Sequence, residues 1–269
     1  MQVSPAVTGL ARSGYAARGL VYLIVGCFAI AAATGSEHTV DAKGALRTLL
    51  EQPSGEILLG LMLVGLLSFS AWRLAQAIGD SDCHGHELKG LVVRGGLLAS
   101  AGVHLMLALF TARLLFKDLG AEKNAGSGQD ALQGLLGWDH SNLLLYAVAL
   151  VPAGVGIAHL VKSWTADFVR YFQADERVMR WVRPVARTGL LARGCVFLVI
   201  AALLVAGSRR YKPTDPPGLQ EVFAALQALP AGSALLLAIG VGLLAFACYS
   251  VAQALWRRID LAAVTPGTL

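Results

Sequence analysis

Three arginines in this 269-residue chain stand in one local setting. Arg18, Arg94 and Arg193 are each followed by glycine and then by an apolar stretch. A guanidinium is planar, permanently charged and rich in N–H donors, so three that converge would make a receptor for phosphate or carboxylate oxygens. The competing reading is anchorage, each arginine lying in the first turns of a membrane helix and reaching back to the headgroups. The glycine that follows lets a neighbouring helix approach and supports a packing role. Gln76 and Gln253 share a second recurring position, from which an amide can bond to backbone, to the arginine of the same hairpin or to a ligand. His104 lies ten residues past Arg94, about 15 Å along a helix. An ionisable group at that depth can relay protons or ligate a metal or haem, or be a hydrogen-bonded core histidine. His159, three residues from Lys162, is expected at a different depth, which argues against a paired-histidine haem site. Asp82-Cys83-His84-Gly85-His86 carries metal-ligand chemistry. It is local and has no distant second ligand pair, so Asp82, Cys83, His84 and His86 count only as a weak metal candidate. No cofactor is predicted. Nucleophile motifs, phosphate loops, HExxH and Rossmann glycines are missing from the sequence, which makes an enzyme the least favoured class.

The elements that must position these residues are membrane helices. Hydrophobic residues make up 56% of the chain and charged residues 14%, where a soluble domain carries about 25% charged. Six apolar runs approach or exceed the roughly 20 residues that span a bilayer: 15–34, 56–78, 91–115, 143–164, 189–207 and 233–255. The first is expected to be a retained helix rather than a cleaved signal, because its pattern recurs deep in the chain. Arg12-x-Gly14-Tyr15-x-x-Arg18-Gly19-x-x-Tyr22 returns as Arg187-x-Gly189-Leu190-x-x-Arg193-Gly194-x-x-Phe197. Pro53-x-Gly55 followed by Gly65-Leu66-Leu67-x-Phe69-x-x-Trp72-x-x-x-Gln76-Ala77 returns as Pro230-x-Gly232 and Gly242-Leu243-Leu244-x-Phe246-x-x-Tyr249-x-x-x-Gln253-Ala254. The chain therefore reads as one membrane domain, 1–269, of three tandem repeats: 8–80, 86–166 and 183–257. Each repeat holds two helices, so all three insert the same way up, and a pseudo-threefold bundle is expected. Short amphipathic helices are expected in the outer loops, at Ala45–Leu50, Ala131–Leu136 and Phe223–Leu229, lying at the membrane interface.

Of the 22 lysines and arginines, 14 fall on the side that holds both termini. Positive-inside bias places that side in the cytoplasm. The basic loop 165–188 reads as a headgroup-facing segment, and no fold element supports nucleic-acid binding.

The Arg-x-Gly-Tyr-x-x-Arg-Gly start and the Gly-Leu-Leu-x-Phe-x-x-Trp-x-x-x-Gln-Ala finish resemble a bacterial integral membrane family, domain of unknown function number twelve hundred and six. Its members carry three two-helix repeats. The likeness is specific in repeats one and three and weaker in repeat two, which lacks Pro-x-Gly and the aromatic–Gln pair. It implies an integral membrane protein and assigns no activity; the location expected is the bacterial plasma (inner) membrane. The reading favoured is a non-enzymatic structural or partner-binding protein, taking membrane lipids, another membrane protein or a homo-oligomer as partner. The alternatives are a transporter or channel along the pseudo-threefold axis and an electron or proton carrier through His104.

Overall fold

The computed structural model describes residues 5–34, 42–82, 85–116, 141–207 and 219–259. These residues form α1 (Pro5–Ala33), α2 (Ala42–Leu50), α3 (Gly55–Gly79), α4 (Leu88–Leu115), α5 (Ser141–Thr165), α6 (Glu176–Gly207), α7 (Leu219–Gln227) and α8 (Gly232–Trp256). A 3-10 turn, Asp167–Tyr171, joins α5 to α6. Among the described residues there is no strand, only one antiparallel bridge between Phe172 and Arg257. Five helices are long and apolar enough to cross a membrane: Thr8–Ala33, Gly55–Gly79, Gly90–Leu115, Glu176–Ala206 and Gly232–Trp256. Lipid offers no hydrogen bonds, and helices satisfy their backbone within the segment. Ile57 and Leu61, one turn apart on α3, are each 67% exposed, an outward face suited to an apolar solvent.

The sharp turns before α3 and α8 explain the recurring Pro-x-Gly. Ser54 (φ 63°) and Ala231 (φ 61°) are left-handed, and the amides of Gly55 and Gly232 donate to the carbonyls of Gln52 and Leu229, both at 2.8 Å. A β-carbon on Gly55 would run into the carbonyl of Leu50, and one on Gly232 into that of Gln227, so only glycine closes the turn. A second pair of left-handed residues, Asp80 (φ 45°) and Ala166 (φ 55°), ends α3 and α5.

Two of the outer-loop helices expected from the sequence are present, as α2 and α7; the third, at 131–136, lies outside the described residues. Leu46 and Leu49 of α2 and Val222 and Phe223 of α7 are buried in the same core as Ala29 and Leu59. Their apolar sides are turned into the bundle, stoppering one end of it. At the other end the 165–175 segment folds across. Phe168 packs on Leu190, Phe246 and Tyr249, and the Gln173 amide donates to the Trp256 carbonyl at 2.8 Å.

The long helices pack in a definite order: α4 on α3, α3 on α1, α1 on α8, α8 on α6 and α6 on α5. Each odd helix of a repeat thus meets its own even helix and the even helix of the repeat before it. The exception is repeat two, whose helices α4 and α5 share next to no contact among the described residues. Glycines set the close crossings. A β-carbon on Gly14 would stand 2.6 Å from the Cα of Phe69, and one on Gly189 2.5 Å from the amide nitrogen of Phe246. On the unpaired faces of α4 and α5, Gly95, Gly96, Gly102 and Gly154 would meet nothing within 4 Å.

Candidate functional site: a buried arginine cluster

The helix order explains why Arg18 lies where it does. Gly19 lets α8 come close enough that a β-carbon there would be 3.3 Å from the Ala247 carbonyl. Arg18 then reaches across, donating from Nε to Ser250 Oγ at 3.1 Å and from Nη2 to Gln253 Oε1. Ser250 gives its own proton to the Phe246 carbonyl at 2.8 Å, which leaves a lone pair for the guanidinium. Arg18 is 3% exposed, and its guanidinium carbon stands 5.2, 5.0 and 5.0 Å from the ring centres of Tyr15, Phe69 and Phe246. Cation–π attraction of this kind offsets part of the desolvation cost. The sequence expectation gave each glutamine the backbone, the odd-helix arginine of its own hairpin or a ligand as partner. Gln253 instead serves the arginine of the first hairpin, because the guanidinium projects across the interface with the preceding repeat.

Arg193 sits over the Tyr22, Phe197 and Phe246 rings at 5.0, 5.3 and 4.6 Å, so Phe246 lies between two guanidinium groups. Arg73 joins them from α3, 4.8 Å from the Phe69 ring centre, and donates to Gln76 Oε1 at 3.0 Å. Gln76 passes the chain on to Asp82 Oδ2 at 2.9 Å. Arg257 donates to both Asp82 oxygens, at 3.2 and 3.1 Å, and lies 4.8 Å from the Tyr171 ring centre. Burial works against the Arg257 charge, but Tyr15 and Asp82 outweigh it and hold the group above its ordinary pKa. Tyr15, fully buried, accepts the Trp72 indole N–H at 3.1 Å. The cluster therefore gathers Arg18, Arg73, Arg193 and Arg257, and Asp82 is the carboxylate that pairs with it. A surplus of buried positive charge on this scale is expensive unless something neutralises it.

His104 is 8% exposed and stacks 4.5 Å from the Phe69 ring centre. Its Nδ1 lies 2.7 Å from the Ser100 carbonyl; a carbonyl only accepts, so Nδ1 carries the proton. His159 repeats the arrangement with the Val155 carbonyl at 2.8 Å.

The residues singled out in the sequence divide three ways. Arg18, Arg193, Gln76 and Gln253 come together, with His104 one ring away from Arg18 across Phe69. Arg94 does not join them: it donates to the carbonyls of Ala77 at 2.6 Å and Ile78 at 3.1 Å, capping the last turn of α3. Of the metal candidate, Asp82 is engaged by Arg257, His86 is exposed, and Cys83 and His84 lie outside the described residues. Among the described residues no three potential metal ligands gather. The sequence reading gave Arg73 and Arg257 no site role; they entered only among the 14 basic residues on the side of the termini.

The Domain of Unknown Function (DUF1206) pattern matches the chain three times, over residues 13–80, 95–166 and 188–257. The chain is 26% identical over 264 residues, 96% of its own length and 94% of the other's, to "Uncharacterized protein YxxB" of Bacillus subtilis (strain 168). No solved structure matches it. With most of its length covered by three successive matches, the chain belongs to the Domain of Unknown Function (DUF1206) family.

Proposed function

We propose that this chain is a six-span protein of the bacterial plasma membrane, with both termini in the cytoplasm, that holds an anionic ligand at its arginine cluster and performs no chemical step of its own. In this reading α5 is the sixth span. The order α4–α3–α1–α8–α6–α5 is a pseudo-threefold ring of three hairpins, open between α4 and α5. The basic residues gathered on the side of the termini support the orientation. Trp164 and Trp181, 87% and 74% exposed beside the 165–175 segment, suit a headgroup belt.

The observation that carries the binding reading is the charge balance. Among the described residues four arginines gather around one carboxylate, Asp82, and the Nε atoms of Arg73, Arg193 and Arg257 are buried without an acceptor. Anchoring arginines would snorkel outward; these point inward onto aromatic rings. An anion supplies what the cluster lacks: negative charge and several acceptor oxygens for forked donors.

The test is native mass spectrometry of protein released from membranes in a mild detergent, with phosphorus analysis of the same sample. A stoichiometric anionic adduct is expected in the native protein, and its loss in the Arg73→Gln/Arg193→Gln double variant. A native protein that carries no adduct and gains no thermal stability from phosphate, sulfate or anionic lipid would sink the reading.

A further inference from the structure

Two of the ring's interfaces are built to one plan, and they differ at a single place. At α1–α8 a β-carbon on Gly19 would touch Ala247 and Val251. At α6–α5 a β-carbon on Gly194 would touch Gly156 and Leu160. Ala247 corresponds to Gly156 and Val251 to Leu160 at one constant offset along the chain, so Ser250 corresponds to His159 and Gln253 to Lys162. The family matches give the same register, ending at 80, 166 and 257, four residues beyond Gln76, Lys162 and Gln253. The left-handed residues Asp80 and Ala166 fall on equivalent positions too.

Arg18 finds two acceptors at these positions, Ser250 and Gln253. Arg193, its counterpart, has at the corresponding positions a histidine whose Nδ1–H is committed to Val155 and a lysine that can only donate. The described residues give Arg193 no hydrogen bond: its Nε is buried without a partner, and its contacts are the three rings. With Lys in place of Gln and His in place of Ser, the two side-chain oxygens that serve Arg18 are missing, His159 Nε2 is the one acceptor left at these positions, and a positive charge is added. The place is reachable, since Lys162 is exposed and His159 and Arg193 are half-buried, and α4 does not close over it. Toward the far side of the membrane the same pair of helices carries an apolar cleft of about 580 Å³, lined by Leu150, Ala153, Ala201 and Val205 among others. A cationic corner beneath an apolar cleft on one helix pair is complementary to an amphiphile with an anionic head.

We propose that the α5–α6 interface is a binding site for an anionic phospholipid, its phosphate held by Arg193 and Lys162 beside His159 and an acyl chain lying in the cleft above. This rests on the anion-binding reading of the cluster and names the ligand class and the corner that takes it. Repeat two, with Lys where repeats one and three carry Gln, is the ligand-binding repeat.

The test uses detergent-solubilised full-length protein, stripped of lipid and titrated with phosphatidylglycerol under native mass spectrometry. Diacylglycerol, with matched chains and no phosphate, and inorganic phosphate serve as comparisons. The native protein should retain one phosphatidylglycerol and neither comparison ligand. The His159→Ser/Lys162→Gln variant gives repeat two the residues of repeat three. It should bind phosphatidylglycerol about 10–100-fold more weakly, the range expected for losing hydrogen bonds to a charged group. It should unfold at the same temperature or higher, because Arg193 regains acceptors; a merely structural site would not separate the two readouts in this direction. Lys162→Gln alone, the milder change, should weaken binding at least threefold. Undiminished binding in both variants overturns the proposal. If Arg73→Gln abolishes the adduct while both of these variants keep it, the corner is wrong and the wider arginine cluster remains the site. Inorganic phosphate binding as tightly as the lipid overturns the lipid as occupant, and a native protein that binds no anion removes both readings.

Discussion

Replacing Asp82 by asparagine removes the carboxylate that pairs with the cluster while keeping its shape. Asp82 accepts two bonds from Arg257 and one from Gln76. At the 3.1 Å separation of the ion pair, unit charges attract by about 5 kcal/mol at an effective dielectric of ~20 and by about 1.3 kcal/mol in bulk water. The side chains are 14% and 6% exposed, so screening is partial, and asparagine retains one oxygen for Arg257 or Gln76. A loss of about 3 kcal/mol follows, the low end of what breaking a buried pair costs. The ratio of folded to unfolded protein then falls roughly 150-fold. Unfolding in mixed micelles of increasing dodecyl sulfate content, followed by tryptophan fluorescence, measures it. Glu87→Gln, an exposed acid on the same side of the molecule, makes the same charge change and should stay within about 0.5 kcal/mol. If the two variants lose equal stability, or Asp82→Asn loses less than about 1 kcal/mol, the cluster is solvated, and the charge argument behind both the anion reading and its lipid form fails with it.

Gly14→Ala and Gly189→Ala should each cost more than about 2 kcal/mol, because the new methyl collides with the α3 or α8 backbone, whereas Gly95→Ala should be neutral or slightly stabilising; the same micelle titration separates them. Phe223→Ala should cost about 3–5 kcal/mol, since that ring is fully buried; a helix lying flat on the membrane surface would lose far less. Arg94→Gln should cost no more than about 1–2 kcal/mol and leave phosphatidylglycerol binding unchanged, while Arg18→Gln should lower the melting temperature much further, because it takes from the buried Gln253 oxygen its charged donor.

How much of this was legible in the sequence follows from which interactions repeat. The repeat shows in its first and third copies because the turns there need glycine at Gly55 and Gly232 and the crossings need Gly14 and Gly189; such steric demands leave identical letters. Arg18 and Arg193 show for the same reason, standing beside Gly19 and Gly194. The Asp82–Arg257 pair does not show. It joins a loop after the first hairpin to the end of the third, 175 residues apart, and neither residue recurs in another repeat. Lys162 was hidden differently. Repeat two lacks the aromatic–Gln signature that would have aligned it, and the replacement of Gln by Lys becomes visible only once the even helices are registered at their C-terminal ends. Arg94 misled because a sequence repeat is not a contact repeat: its neighbours Ala77 and Ile78 offer backbone oxygens, which any residue supplies and no motif records.

The contact between Arg18 and Gln253 also has a bearing on how the molecule is made. The two residues are 235 positions apart, so at a synthesis rate of roughly 5–20 residues per second the glutamine arrives about 10–50 s after the arginine. Throughout that interval the first hairpin carries a guanidinium that the bilayer penalises by about 2.5–3.5 kcal/mol, and the Tyr15 and Phe69 rings offset only part of that until α8 supplies Ser250 and Gln253. The first helix is thus fully accommodated only after α8 has inserted beside it. Chains cut before residue 232 should turn over faster than those that contain α8, and Arg18→Leu should narrow that difference.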